Sequence, residues 1–457
     1  MNTLDSSEVK NLKLAFFLYN KKQRASFVET GVIAEISGIY DTKLLLSDEK
    51  LELGFDKVIT RELVQVLPKL PKSSRKITTF MQCVALWRFK DRSMGHKVRA
   101  YCQFGSPKER KEWSSVIVYE MENWSEIKRI FLKVLAMQPF YCIAKSVELC
   151  LRNLLLTRYW RSILQEIDIV ALPFAGHISY EFSLMVWLCK KMKIKTLAIQ
   201  ENWDNVSSKT FITEEPDFFG VWGEQSKSHL IEIHELHQTR IRILGSPRFE
   251  PYFIGKIQDP IAASSEFGNT NLVGRRYVLL AGTGDGIDDE MLIDASYSAC
   301  LGIKPNVNLI YRPHPFTRYQ HNFRELKSKY PLLIFDEGDE ARTFGHHIPL
   351  VQNASIIISH LSTLVLEGLI NEKFVCVPLF LGRDASIEYS RFIDGAQHYI
   401  GLRLVGNLVT PSSLEDMKSV INECLSRRRP TSNANLEWIC SKGNFTNNLL
   451  DVLSEMS

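Results

Sequence analysis

A rigid turn at residues 312–315 holds two cationic side chains directly after an apolar strand. The strand covers residues 308–311, and the turn supplies Arg312 and His314, with Pro315 behind the imidazole. Proline fixes the backbone φ angle, so the imidazole is held still. Such turns lie at the carboxyl edge of a parallel sheet, where open α/β folds bind ligands. His314 is therefore predicted to donate to a phosphate and to stabilise a departing group, with a purely structural turn as the alternative.

A second polar turn follows the apolar residues 356–358 and opens a helix. It contributes the hydroxyls of Ser359, Ser362 and Thr363. Unpaired backbone N–H groups and hydroxyls at a helix start form an anion site, and phosphate is the usual anion. Glu367 stands just over one turn further along, where its carboxylate can accept hydrogen bonds from a ribose. The alternatives are ordinary N-caps and a carboxylate on the outer face of the helix.

A glycine-rich loop follows the predicted strand 277–281. Small residues let backbone N–H groups approach a phosphate or a sugar closely. The loop has neither the dinucleotide G-x-G-x-x-G spacing nor the G-K-[ST] of a P-loop. Asp285 and Asp288 are weaker candidates for a base or a nucleophile. The residues predicted to contact a nucleotide-linked ligand are Gly282, Thr283, Gly284 and Asp285.

The first half of the chain offers candidates for a general base. His177 lies on a turn between the strand 168–173 and a helix, and Asp204 follows the strand that ends at residue 200. Either side chain, if it faces a cleft, can deprotonate a hydroxyl. Trp203 is suited to stacking on a sugar ring or to core packing, and Lys209 to a phosphate contact. A capping role is the alternative for His177.

Strands alternate with helices along most of the chain, which predicts an α/β fold with parallel sheets. The length of 457 residues favours two domains. Residues 50–125 are predicted to be irregular with some strand, and 127–164 to be a basic helical segment broken at proline. The predicted parts are a first Rossmann-like domain 1–250, a linker 251–275, a second domain 276–430, and one terminal helix in 431–457 that packs on the first domain.

The bulk composition excludes several classes of protein. The net charge of +4 is too mild for a nucleic-acid-binding surface. The nine cysteines include no C-x-x-C pair, and there is no Asp-x-Asp motif, so no metal or other cofactor is expected. No stretch of 18 uncharged apolar residues is present, which predicts a cytoplasmic protein. The basic segment is predicted either to lie on the inner membrane or to pack between domains, with these side chains outward: Lys128, Arg129, Lys133, Arg152, Arg158 and Arg161.

The order of these motifs resembles a known family. Two Rossmann-like halves with a returning terminal helix resemble the GT-B glycosyltransferase architecture. The 312–315 turn and the Ser359…Thr363 turn resemble the His-Pro and Ser/Thr motifs of bacterial sialyl- and Kdo-transferases and CDP-glycerol glycerophosphotransferases. The segments 201–209, 221–224 and 245–249 resemble surface-polysaccharide proteins of this kind. The similarity covers roughly residues 165–405.

The resemblance implies a transferase that moves a sugar or a polyol phosphate from a nucleotide-activated donor. The motifs favour a CMP- or CDP-linked donor, and the acceptor would be a surface glycan or a lipid-linked molecule. In that family the second half holds the nucleotide and the first half holds the acceptor. Three alternatives stay open: a sugar-nucleotide epimerase of the UDP-GlcNAc 2-epimerase type, a UDP-sugar transferase, and a non-catalytic scaffold in polysaccharide assembly.

Overall fold

The structure is a computed structural model of the full chain. It describes twelve stretches, which include most of both sheets and of the helices around them. These stretches are residues 12–51, 63–114, 124–156, 160–176, 180–253, 276–282, 289–301, 307–314, 323–336, 344–381, 393–426 and 436–457.

The first half of the chain forms a parallel sheet of seven strands. Their spatial order is β3-β2-β1-β4-β5-β6-β7. All six residues of β4 are buried, because helices cover both faces of the sheet. This is why the strands read as continuous apolar runs and not as alternating ones. The strands are β1 Lys13–Leu18, β2 Asp41–Leu46, β3 Val64–Val66, β4 Ile169–Phe174, β5 Lys195–Gln200, β6 Phe218–Val221 and β7 Ile241–Ile243.

The second half forms a parallel sheet of six strands. Their order is β10-β9-β8-β11-β12-β13, so the order in which successive strands are added to the sheet reverses between β8 and β11. Ligands of open α/β sheets bind outside the carboxyl ends of the strands at such a switch point. The strands are β8 Tyr277–Ala281, β9 Asn308–Arg312, β10 Leu333–Phe335, β11 Ile356–Ser359, β12 Phe374–Cys376 and β13 Leu408–Val409.

Helices connect the strands and cover the faces of both sheets. The class of the fold, α/β with two Rossmann-like sheets, is therefore confirmed. The predicted linker lies outside the described residues from 254 onward and stays a prediction. The helices are Lys21–Arg24, Val32–Ser37, Lys72–Arg88, Met94–Phe104, Pro107–Ser114, Glu126–Leu135, Phe140–Leu156, Arg161–Leu164, Tyr180–Met192, Glu224–His234, Glu250–Phe253, Asp289–Cys300, Phe323–Lys329, Phe344–Asn353, Thr363–Ile370, Leu414–Ser426 and Phe445–Met456.

The prediction of irregular structure with some strand for residues 50–125 is wrong for most of the residues described there, although the strand β3 lies in this region. Three helices occupy it, Lys72–Arg88, Met94–Phe104 and Pro107–Ser114. The first of them buries Met81, Val84 and neighbouring apolar residues against the helices that follow. Its apolar positions recur at helical spacing, so burial on one face outweighs the weak helix propensity of its threonine and aromatic residues.

The terminal helix is shorter than predicted and begins at residue 445. Its cap is Asn444, whose side-chain oxygen accepts from the Asn447 N–H at 2.8 Å. The helix returns to the first sheet, where Phe445 packs edge-on against Phe27 with ring centroids 6.2 Å apart. Residues 436–441 instead run past β6, and the Ser441 N–H donates to the Trp222 carbonyl at 2.8 Å. The returning helix thus ties the end of the chain to the first sheet, as predicted.

Candidate functional site

The two predicted turns lie side by side at the carboxyl edge of the second sheet. In the strand register, Ala281 of β8 pairs with Arg312 of β9 on one side and with Ser359 of β11 on the other. The glycine loop, the cationic turn and the hydroxyl turn therefore leave the sheet at one level. Parallel pairing produces this juxtaposition, because it aligns the ends of strands that are far apart in sequence.

Gly282 begins the glycine loop at a place with no room for a side chain. Its N–H donates to the Arg312 carbonyl at 2.8 Å. A Cβ atom there would lie 2.6 Å from an oxygen of Asp289 and 2.9 Å from the Tyr311 hydroxyl. Those two groups are themselves joined, since the Tyr311 hydroxyl donates to Asp289 at 2.7 Å. A glycine is thus required here for packing. The other residues predicted around this edge lie outside the described part of the chain: Thr283, Gly284, Asp285, Asp288 and Pro315.

Arg312 is held in place by a carboxylate that the sequence analysis did not single out. Its guanidinium lies 2.7 Å from Asp336, which follows β10 and is buried. His346 contacts the other oxygen of Asp336 at 3.0 Å. Burial alone would raise the pKa of Asp336, but the hydrogen bond from His346 and the charge of Arg312 outweigh it and lower that pKa. The signal in the sequence was a carboxylate directly after a third strand at the same edge.

The hydroxyl turn has the geometry of a helix start. Ser362 is the N-cap residue, with φ −153° and ψ 174°, and its side chain makes no capping bond to the described helix. Instead its hydroxyl lies 3.3 Å from that of Ser359, which donates to the His360 carbonyl. The half-buried His314 ends the neighbouring turn. The arrangement leaves the first N–H groups of the helix directed at the edge where these side chains meet.

The carboxyl edges of the two sheets meet at this helix start. The Thr363 hydroxyl donates to the Asn202 side-chain oxygen at 2.6 Å. Asn202 lies just beyond β5 of the first sheet. A ligand bound at the helix start is thus within reach of groups from both halves of the chain.

Glu367 is the centre of a buried cluster of charges. Its side chain is 2% exposed, and it accepts from Arg248 at 2.8 Å, from the Tyr252 hydroxyl at 3.0 Å, and from His347. Burial alone would raise the pKa of Glu367, but the charges of His347 and Arg248 outweigh it and lower that pKa to about 2. Arg248 and Tyr252 precede the predicted linker, whereas His347 belongs to the second half.

This cluster changes the role predicted for Glu367. Both of its oxygens already accept hydrogen bonds from protein donors. A ribose hydroxyl would therefore have to displace Arg248 or Tyr252 to reach the carboxylate. In this arrangement Glu367 joins residues that precede and follow the linker, and a ribose contact at Glu367 stays a prediction.

Asp204 is engaged in an ion pair and is poorly suited to act as a base. The Lys209 ammonium lies 2.9 Å from its carboxylate, and the Ser208 hydroxyl lies 3.3 Å from the same oxygen. Burial alone would raise the pKa of Asp204, but Lys209 and then His398 outweigh it and hold that pKa far below its usual range. The Lys209 ammonium, which was predicted to contact a phosphate, forms this ion pair with Asp204 in the structure.

Trp203 was predicted either to stack on a sugar ring or to pack in the core, and in the structure it packs in the core. The indole is 3% exposed, and its N–H donates to Gln225 at 2.9 Å. The rings of His398 and Tyr399 pack edge-on against it, with centroids 5.3 Å and 5.4 Å away. Trp203 thus belongs to a contact between the two halves, and a sugar cannot stack on it here.

A carboxylate that the sequence analysis passed over lies at the carboxyl edge of the first sheet. Glu201 follows β5 directly and is 8% exposed. The side-chain amides of Gln23 and Asn20 donate to its Oε2 at 3.1 Å and 3.4 Å. Its neighbour Asn202 contacts the helix start of the second half. Glu201 is thus a buried acidic side chain at the carboxyl edge of the first sheet, one residue before the contact that Asn202 makes with the second half, whereas His177 lies outside the described residues.

Three buried histidines predict a loss of stability in mild acid. Burial lowers the pKa of His229 and His234 to about 4, and that of His398 to about 3. Each is neutral in the folded chain, while its unfolded pKa is about 6.5. Between those values only the unfolded chain binds the proton, so stability falls as pH drops below about 6.5. The expected slope is at most about 1.4 kcal/mol per pH unit for each histidine.

Urea unfolding at pH 7.5 and pH 5.5 measures this effect. We expect a lower midpoint at the acidic pH, and a smaller difference in the His229→Gln variant. His237→Gln is the matched control, because His237 is exposed. Equal midpoints for the unchanged chain at both pH values would contradict the assignment.

The architecture is similar to that of several solved structures. The UDP-GlcNAc 2-epimerase from Methanocaldococcus jannaschii aligns with a TM-score of 0.54 at 11% identity, over 97% of this chain and 100% of that one. The GT-B type of fold is therefore confirmed. The UDP-GlcNAc 2-epimerase from Neisseria meningitidis, bound to UDP-GlcNAc, aligns with a TM-score of 0.52 at 10% identity, over 97% of this chain and 100% of that one. The structure of S. aureus MnaA with UDP aligns with a TM-score of 0.51 at 9% identity, over 98% of each chain.

Sequence comparison adds no closer relative. No protein-family model matches the chain, and no curated protein sequence matches it. At identities of 9–11%, the structural likenesses establish the fold alone.

Proposed function

We propose that the chain is a nucleotide-sugar enzyme of the sugar-nucleotide epimerase type, acting on a UDP-linked amino sugar. One observation carries the proposal. The sheet register places Ala281, Arg312 and Ser359 at one level, beside the helix that begins at Thr363 and contacts Asn202 of the first half. The three neighbours above, with TM-scores over 0.5, are named for UDP-GlcNAc or are bound to UDP or UDP-GlcNAc, which favours uridine over cytidine.

The diphosphate of the proposed substrate binds at the start of the helix Thr363–Ile370. Unpaired N–H groups and the positive end of the helix dipole favour the phosphate charge. The Ser362 hydroxyl, which is not used as a cap, donates from one side. His314 approaches from the neighbouring turn, and Arg312, held by Asp336, adds positive charge. These groups also stabilise negative charge that develops on the phosphate during reaction.

Glu201 is the proposed acid–base group for the sugar. Inversion at the carbon beside the anomeric centre requires that a base remove the proton there while the bond from the anomeric carbon to the diphosphate breaks, which leaves a double bond in the ring. A proton must then return to the other face as the bond to the diphosphate forms again. A carboxylate buried at the carboxyl edge of the first sheet, one residue before Asn202, is suited to the transfer, and Gln23 and Asn20 fix its position. Asp204 is unsuited to this step, because Lys209 keeps it ionised and a weak base.

A second candidate is transfer of a sugar or a polyol phosphate from a CMP- or CDP-linked donor to a glycan or lipid-linked acceptor. The Arg312–Pro315 and Ser359–Thr363 turns favour it by their resemblance to cytidine-nucleotide transferases. The two candidate functions share the phosphate site and differ in whether the reaction needs a second substrate. An epimerase acts on the nucleotide sugar alone, whereas a transferase also needs an acceptor hydroxyl.

Incubation of the protein with UDP-GlcNAc in D₂O, followed by NMR, tests the proposed reaction. An epimerase replaces the hydrogen at the inverted carbon with deuterium from the solvent and forms the epimer. Absence of both deuterium and epimer, while UDP still binds, would exclude epimerisation and leave transfer as the function of this site.

We expect His314→Ala to weaken UDP binding by about tenfold to a hundredfold, because a hydrogen bond to a charged phosphate contributes about 1.5–3 kcal/mol. Titration calorimetry measures the affinity, and the melting temperature without nucleotide shows whether the fold is intact. His237→Ala is the matched control, since that exposed imidazole lies on the first half. If His314→Ala bound UDP with unchanged affinity, the imidazole would not be part of the phosphate site.

A further inference from the structure

Two helices on the first half of the chain expose a continuous set of apolar side chains. They are Glu126–Leu135 and Phe140–Leu156, and we call the exposed set the apolar elbow. Ile127 is 80% exposed and Ile143 is 58% exposed, where soluble proteins seldom cluster large aliphatic groups. The elbow consists of Ile127, Ile130, Phe131, Val134, Met137, Phe140, Ile143 and Val147.

The opposite faces of both helices pack on one support, the helix Lys72–Arg88. Leu132 is fully buried in the core cluster that contains Val84. Arg88 donates to the Ala136 carbonyl at 2.8 Å, and its guanidinium lies 5.0 Å from the centre of the Tyr141 ring. Because both helices cover the same support, their exposed stripes face away from it together. The elbow is thus a single outward surface.

The basic side chains of this segment are arranged differently from the prediction. Arg129 and Arg152 are buried in ion pairs and do not point outward. Arg161 is exposed as predicted, and Arg158 lies outside the described residues. Lys128 is also exposed, beside the apolar stripe, with its ammonium 3.7 Å from the centre of the Trp124 ring.

Both carboxylates of the segment 126–156 are neutralised by arginine or lysine. Glu126 lies 3.0 Å from Arg110 and 2.6 Å from Arg129, and Glu148 is paired with Arg152 and Lys145. The segment has five basic residues against two acidic ones. Lys145 and Arg152 also pair with Glu214, so the exposed positive charge that remains beside the apolar surface is that of Lys128.

Two polar groups between the exposed apolar side chains are paired with neighbours one helical turn away in the chain. The Ser146 hydroxyl donates to the Cys142 carbonyl at 2.9 Å, and the Cys142 thiol lies 3.2 Å from the Gln138 side-chain oxygen. Such internal pairing suits a surface that leaves water, because an unpaired polar group would be costly there.

We propose that the apolar elbow docks on an anionic lipid bilayer, with its apolar side chains at the level of the acyl chains and Lys128 among the head groups. Amphipathic helices with a basic rim bind membranes in this way. Among the described residues no single helix is long and apolar enough to span a bilayer, and the two elbow helices reach that length and composition only as a pair bent by 98°. The bend suits two helices lying in one interfacial plane. The proposal is independent of the nucleotide chemistry, since it concerns a different surface.

Flotation of the full chain with vesicles tests the proposal. We expect the protein to float with phosphatidylglycerol vesicles and less with phosphatidylcholine vesicles. The double change Ile130→Ser with Ile143→Ser should reduce binding by about tenfold or more, because two apolar side chains leave the acyl region. Lys128→Gln should reduce binding to the anionic vesicles alone by about fivefold.

Leu332→Ser with Leu404→Ser is the matched control, because both leucines are exposed elsewhere on the chain. These changes should leave vesicle binding unaltered, and all of the altered side chains are exposed enough to leave folding intact. Absence of flotation would overturn the proposal. So would a dimer in analytical ultracentrifugation that the Ile130→Ser, Ile143→Ser variant dissociates, because the elbow would then be an interface between copies of the chain.

Discussion

Replacing Glu201 with glutamine should lower the turnover of a UDP-linked amino sugar by about a hundredfold to ten-thousandfold, the usual contribution of a positioned acid–base group. The amide keeps the size of the carboxylate and can still contact Gln23 and Asn20, but it cannot carry the proton. UDP binds through the second half of the chain in our account, so its affinity should stay within about twofold. Steady-state kinetics and titration calorimetry on one preparation separate the two effects.

Two further variants control for general effects of the change. Glu215→Gln alters an exposed glutamate, paired with Arg240, and should leave turnover unaltered. Asp204→Asn breaks the pair with Lys209 and should act mainly on stability. Should Asp204→Asn abolish turnover while Glu201→Gln retains it, the acid–base role would belong to Asp204 as first predicted.

Replacing Glu367 with glutamine should lower the free energy of unfolding by about 3–5 kcal/mol, the cost of breaking a buried ion pair by removal of one partner. The change leaves Arg248 and His347 without the carboxylate whose charge they share. Because Arg248 lies before the predicted linker and His347 after it, the loss should also loosen the contact between the halves. Urea unfolding followed by circular dichroism measures the free energy.

Glu290→Gln is the matched control for this loss of stability. Glu290 pairs with Lys329 at the surface, where both side chains are about half exposed. An exposed pair contributes about 1 kcal/mol or less, so the control should unfold close to the unchanged chain. A Glu367→Gln protein as stable as the control would show that the cluster does not hold the halves together.

The strands and the edge of the site could be predicted from local sequence. The strand from Asn308 to Arg312 has an apolar centre at residues 309–311, and a polar turn with two prolines follows it, so strand and turn both depend on nearby residues. The same holds for β11 and the helix start at Thr363. Parallel pairing then aligns the ends of these strands, which is a property of the fold class and needs no further sequence signal.

The partners of the predicted site residues could not be predicted in this way. Arg248 and Tyr252 contact Glu367 from 119 and 115 residues away, and no periodicity reports such a meeting. Trp203 carried no local sign that His398 would pack against it. These contacts depend on how the two halves meet, which lies beyond the range of sequence pattern.

The carboxyl edge of the second sheet is the proposed binding site for the diphosphate of a nucleotide sugar. The most direct test is the melting temperature of the protein with UDP, CDP, CMP, GDP and ADP, since a ligand of the native state raises it by mass action. We expect the largest rise with UDP, which at a concentration a hundred times its Kd should add about 2.7 kcal/mol to the free energy of unfolding. A larger rise with CMP or CDP would select the transferase, and no rise with any nucleotide would contradict the claim.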